Sequence, residues 1–213
     1  VTSWSGTDFY GNRKMLQFKV KELFDKVMVS MLECQDSIEI YVVSDLQSGI
    51  EGKVEVAALD FTGSRTMLFS SETKINPNES RKVFSFHAPK LFTKYNPTET
   101  LFEARFVTNN GEVFENRKFF APFGMLKLPL PDLEVKLAPM KNGYKIHLKA
   151  KTMIAFAHLS LNEHHALFSD NHFSLLPNEE KTIDCILSAE NLKFIENLEI
   201  RSLGDVQRHQ KKQ

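Results

Sequence analysis

The sequence predicts an all-β protein: two antiparallel β-sandwiches preceded by one amphipathic α-helix. Three observations predict it. Apolar residues recur at every second position along most of the chain, a helical apolar period stands near the N-terminus, and the proline-dense stretch Pro122 to Pro131 separates two sets of alternating segments. The length of 213 residues suits two sandwiches of about 100 residues each.

The helix is expected over Asn12 to Val27. Leu16, Val20, Leu23, Phe24 and Val27 share one face, with Lys19, Lys21, Glu22 and Lys26 largely outside it. Asn12 is placed to cap its start, and Glu22 to Lys26 has the favourable i, i+4 order. Met15 and Phe18 widen the apolar surface, so this helix should pack on more than one neighbour.

From Val27 the period changes to two. Ile38, Ile40 and Val42 alternate with Glu39, Tyr41 and Val43; Phe84 and Phe86 alternate with Val83, Ser85 and His87; Phe102, Ala104 and Phe106 alternate with Glu103 and Arg105. Further strands near 27–34, 52–61, 66–75 and 112–121 bring the set to about seven, which suits a sandwich. Asn109-Asn110-Gly111 is the clearest turn, with Asn110 and Gly111 both able to take positive φ in a tight hairpin. Beyond the prolines, Tyr144, Ile146, Leu148 and Ala150 alternate with four basic residues, entered through the turn signal Asn142-Gly143. Strands near 133–139, 154–161, 181–188 and 197–203 complete a smaller sheet system. The expected limits are 1–27 for an N-terminal segment and helix, 28–122 for the first sandwich, 123–132 for a proline-rich linker, 133–205 for the second, smaller sandwich and 206–213 for a polar, fraying tail.

Lys plus Arg and Asp plus Glu both number 27, so no net basic field exists to recruit nucleic acid or an anionic membrane surface, and neither partner is expected. No apolar run approaches the roughly 18 residues that span a bilayer. Cys34 and Cys185 lie far apart, which argues against a disulfide framework, and 18 phenylalanines supply ample bulk for cores.

Strong local catalytic signals are missing: no G-x-S-x-G elbow, no H-E-x-x-H helix, no glycine-rich phosphate loop and no C-x-x-C pair, so no cofactor is expected. Asp60, Glu72 and Glu103 read as strand-face acids, because carboxylate catalysis requires a geometric pair in a cleft. His158, His164, His165 and His172 cluster in sequence, but adjacent His164 and His165 would point oppositely in a strand, which is poor geometry for an ion. Asp170-Asn171 carries oxygens suited to calcium, yet such short polar side chains ordinarily bond their own backbone in a turn. Asn78-Glu79-Ser80 fits the N-glycosylation acceptor pattern. Trp4, the only tryptophan, sits in a polar segment, where a flat indole either stacks on a sugar ring or anchors an interface.

Two segments carry a resemblance. Thr2-Ser3-Trp4-Ser5, Asp8-Phe9-Tyr10-Gly11 and Lys14-Met15-Leu16 resemble the end of the catalytic barrel in β-mannosidases of glycoside hydrolase family two. Phe168-Ser169-Asp170-Asn171-His172-Phe173, followed by Leu175-Leu176-Pro177, is similar to the Phe-Ser-Asp-Asn-Tyr-Phe-x-Leu-x-Pro-Gly signature in the last sandwich of those enzymes; His172 replaces the usual Tyr and Asn178 the usual Gly. The resemblance implies that both sandwiches are immunoglobulin-like and that the chain is the C-terminal region of a larger retaining hydrolase. It places the two catalytic glutamates upstream of Val1, so no catalytic residue is expected here and the chain alone should be inactive. By the same resemblance Trp4 lines a sugar subsite at the barrel mouth. The implied partners are an upstream catalytic barrel of the same polypeptide and, through that parent enzyme, a β-mannoside-type glycan. The sandwiches would brace the barrel and shape its active-site rim, in a periplasmic, secreted or lysosomal setting. The alternative is a stand-alone two-domain adhesion or carbohydrate-binding module.

Overall fold

The computed structural model describes residues 5–9, 11–161 and 164–210, which fall into two compact units. One runs from Glu22 to Lys127. The other joins the N-terminal segment, up to Lys21, to everything from Leu128 onward. Mostly antiparallel strands build both.

Helix α1 (Met15–Leu23) is shorter than its apolar period suggests, because the extended strand conformation already begins at Val27. Its buried side is also different from the one expected. Phe18 is the residue it buries, while Leu16, Leu23 and Phe24 remain exposed, Phe24 at 84%. Asn12 does not cap it. The helix starts three residues later, at Met15, and the Asn12 N–H and Nδ2 both donate to the Asp8 carboxylate, at 2.9 and 3.0 Å, closing a turn ahead of it.

The first unit contains β1 (Val27–Cys34), β2 (Ser37–Ser44), β3 (Ile50–Asp60), β4 (Arg65–Ile75), β5 (Ser80–His87), α2 (Ala88–Lys94), β6 (Thr100–Thr108) and β7 (Val113–Lys118). Strands β1-β2-β5 form one sheet and β4-β3-β6-β7 the other. The chain passes between sheets after β2, β4 and β5, which gives an immunoglobulin-like sandwich. Ile38, Ile40 and Val42 of β2 meet Val54, Val56, Ala104 and Phe106 of the facing sheet in a closed core. The β6–β7 turn differs from the expected two-residue hairpin. Gly111 takes φ +87°, Asn110 does not take positive φ, and Thr108 pairs with Glu112 across a three-residue loop. The Asn110 side chain instead ties Thr108 Oγ1 to the Glu112 N–H. Helix α2 was not legible in the strand pattern; Pro89 sits in its first turn and His87 Nδ1 accepts from the Lys90 N–H at 3.4 Å.

The second unit adds β8 (Leu133–Met140), β9 (Gly143–Ala150), β10 (Ile154–Ser160), β11 (Leu167–Phe168), β12 (Phe173–Leu175), β13 (Glu180–Ile186), β14 (Glu199–Arg201) and α3 (Leu203–Gln210). Its sheets are β11-β13-β9-β8 and β12-β10-β14, around Ile146, Leu148, Ile183, Leu159 and Leu175. Met140 pairs with Gly143, so the two-residue turn is Lys141-Asn142 and Gly143 already belongs to β9. Gly143 is needed for a different reason: at φ +140° a Cβ there would lie 1.9 Å from the Cys185 carbonyl oxygen of β13. Over 206–210, where composition suggested a frayed tail, the chain forms α3, and residues 211–213 of that tail lie outside the described residues. The start of α3 is held by Asp205, whose carboxylate accepts from the Ser202 N–H and hydroxyl at 2.8 Å each. Among the described residues no helix is long and apolar enough to cross a membrane.

Candidate functional site

The chemistry-bearing residues of the second unit converge on the run from Phe168 to Lys181. Asn171 is buried, and its amide works as one rung of a sheet. Oδ1 accepts from the Leu159 N–H at 2.8 Å while Nδ2 donates to the Leu159 carbonyl at 2.9 Å, satisfying both backbone groups of a β10 residue. Asp170 accepts from the Asn171 N–H at 2.7 Å and pairs with Lys181 Nζ at 2.7 Å; that ammonium lies 4.8 Å from the centre of the Phe173 ring. Each side chain accepts from the backbone N–H that follows it, Asp170 from Asn171 and Asn171 from His172, as the backbone-bonding reading expects, but each also reaches beyond the turn, to Lys181 and to β10.

His172 follows in the left-handed region at φ +60°, with its N–H donated to Ala157 O at 2.8 Å. That backbone lays its imidazole over β10, where it stacks on His158 with centroids 4.7 Å apart and planes inclined by 21°. Phe18 of α1 packs against His172, at 5.8 Å between centroids. Asn178, at φ +70°, makes the left-handed position in the next turn, where its N–H donates to Ala150 O at 2.7 Å.

The N-terminal segment and this run enclose a cleft of about 430 Å³, lined among others by Asp8, Arg13, Lys14, Phe18, His158 and His172. The four sequence-clustered histidines are split. His158 and His172 come together, His164 stacks on Phe194 at 3.6 Å, and His165 Nε2 lies 3.3 Å from Gly11 O. Burial, and then the positive field of His158, bring the His172 pKa down to about 4, outweighing Asp170. His158 is lowered too, by burial and then by Arg201, against Glu199. Among the described residues no group of three or more His, Cys, Asp or Glu side chains is arranged to hold a metal ion.

Two of the three acids singled out from sequence are engaged by neighbouring groups. Glu103 is buried between Arg65 and Arg117. Asp60 closes a turn through Thr62 and Ser64; burial pulls its pKa up, but those hydrogen bonds prevail and hold it below the usual range. Glu72 is exposed on β4. Asn78 is exposed at φ +50°, its amide hydrogen-bonded to that of Gln47. Trp4, the expected sugar-contacting residue, lies outside the described residues. Sequence reasoning missed the amide rung of Asn171 and the partnership of His158 with His172. The available signal was Asp170-Asn171 set between two phenylalanines, which marks a turn with its side chains turned inward.

Comparison with known proteins covers both units. Residues 36–123 match the model of the mannosidase Ig/CBM-like domain, and residues 128–206 match that of an Ig-fold domain. The chain is 23% identical over 222 aligned residues to β-mannosidase A of Aspergillus flavus, a match spanning 94% of this chain and 24% of the relative. The same figures hold for β-mannosidase A of Aspergillus oryzae. The chain thus spans about a quarter of the length of the curated relatives it matches, and corresponds to their C-terminal part. Among solved structures, the β-D-mannosidase of Dictyoglomus thermophilum superposes with a TM-score of 0.74 at 22% identity, over 95% of this chain and 24% of that one. The exo-chitosanase of Amycolatopsis orientalis superposes with a TM-score of 0.57 at 11% identity, over 93% and 29%.

Proposed function

Because residues 36–123 belong to the mannosidase Ig/CBM-like domain family and residues 128–206 to an Ig-fold domain family, we propose that the chain is the non-catalytic accessory part of a β-mannosidase-like glycoside hydrolase. In this reading it braces a catalytic barrel carried by the same polypeptide and shapes the rim of the active site. The barrel takes the β-mannoside-type glycan, with Trp4 at its mouth, and the domain limits are those of the two sandwiches, 28–122 and 133–205.

The observation that carries the bracing role is helix α1. Leu16 and Leu23 on the helix and Phe24 just past its end are exposed apolar side chains, which call for a further partner. The engagement of Glu103 by Arg65 and Arg117 and of Asp60 by its own turn supports the non-catalytic role.

The purified chain is expected to give no turnover of an aryl β-mannoside. Turnover that disappears on substituting an acid within the chain overturns the non-catalytic reading. In the polypeptide that includes the barrel, Leu16→Ser with Phe24→Ser should lower both melting temperature and activity; if both stay unchanged, the bracing role fails.

A further inference from the structure

We propose that His158 and His172 form an acid-sensitive latch: as a neutral stacked pair they seat helix α1 on the second sandwich through Phe18, and their protonation releases the helix. Phe18 is 6% exposed and is the buried residue of α1, so the grip of the helix passes through this one side chain. Its ring lies tilted by 56° on the His172 imidazole, which is backed by His158 at 4.7 Å. Two imidazolium rings at that separation repel, and Phe18 covers part of His172, which is half-buried.

The charged groups around the pair do not neutralise it. Asp170, on the turn of His172 itself, is already paired with Lys181. On β14, Glu199 and Arg201 flank His158 and bind each other at 2.5 Å. From the N-terminal segment the cleft receives Asp8, which holds Asn12, together with the cations of Arg13 and Lys14, and His164 also lines it. Three carboxylates therefore face three permanent cations beside Lys181, so the set holds no spare negative charge for a protonated pair.

The direction of the pH effect follows from linkage. Docked His172 has its pKa lowered to about 4 from the ordinary 6.5, by burial first and by His158 second, so the released form binds more protons. Docking is complete above pH 6.5, weakens as the pH falls toward 4, and changes no further below it. If release returns His172 fully to its ordinary value, the docking constant drops about 25-fold between pH 7 and pH 5.

The test uses the whole chain with isotope-labelled histidine, followed by NMR together with amide hydrogen exchange from pH 7 to pH 5. The His172 ring should titrate well below 6.5, and protection of the α1 amides should fall by up to about 25-fold relative to the β9 amides, which report global unfolding. His172→Phe keeps a planar ring without a titrating proton and should abolish the fall. His158→Asn removes the repelling neighbour and should make the fall shallower. Protection of α1 that is flat with pH in the unaltered chain, or an undiminished fall in His172→Phe, overturns the proposal. Should His172→Phe fail to fold, an undiminished fall in His158→Asn does the same.

Discussion

Arg117 grips Glu103 with two nitrogens, Nε at 3.0 Å and Nη2 at 2.9 Å from Oε2, while Arg65 takes the other carboxylate oxygen at 3.0 Å. The carboxylate sits in a row across β4, β6 and β7, almost wholly removed from water. Glu103→Ala strips the charge from between two guanidiniums, and equilibrium urea unfolding should show a loss of about 3 kcal/mol. Glu115→Ala, at the exposed end of the same row with Arg105 and Arg117, should change stability by less than about 0.5 kcal/mol. Equal costs at the two positions would mean that burial of the pair is not what matters.

Asn171 should be harder to replace than its turn position implies. Asn171→Ala leaves both backbone groups of Leu159 without partners, at a cost of about 2 to 4 kcal/mol. Asn171→Asp turns an oxygen toward the Leu159 carbonyl, so the variant is least stable when ionised. Its folded-state pKa is raised, its stability is fullest below the ordinary carboxylate range, and that stability is lost as pH rises. Thermal melts of Asn171→Asp at pH 4 and pH 7 check the sign.

Two glycines with positive φ should separate sharply. Gly143→Ala drives a methyl into the Cys185 carbonyl, a backbone atom that cannot move without opening β9 from β13, and should cost more than about 3 kcal/mol or prevent folding. Gly111→Ala meets no atom within 4 Å, leaving only the strain of φ +87°, about 1 kcal/mol. Melting temperatures of the two variants decide it.

The thiols should differ in the same way. Cys34 is exposed, whereas Cys185 is buried and its burial pushes the thiol pKa up to about 11. At pH 8 one thiol should react with a disulfide reagent in the native protein and the second only after denaturation. Labelling of Cys185 at the rate of Cys34 would show that β13 opens readily.

Strands whose alternation expresses a buried and a wet face were readable: Ile38-Ile40-Val42 and Ile146-Leu148-Ala150 are in the cores as the pattern requires. Strands β11 and β12 were not, because two or three residues are too few to show a period, and the polar residues between them look like a loop. Helix α1 misled differently. Its apolar residues surround much of the helix, so periodicity chose the Leu16 face although the sandwich takes Phe18. The His158–His172 stack depends on a left-handed backbone at residue 172, which histidine favours more than most residues but marks far less specifically than glycine does.

Phe18 and His172, which touch, lie on either side of the whole first sandwich in the sequence. At ordinary rates of synthesis the helix leaves the ribosome on the order of ten seconds before its seat has been made. The first sandwich, whose strands are contiguous, can close during that interval with the helix still undocked. The second sandwich then both completes itself and recruits a segment already waiting. Assembly of this chain thus runs from its middle outward, and a C-terminal truncation should leave behind a folded first sandwich with an orphaned N-terminal arm.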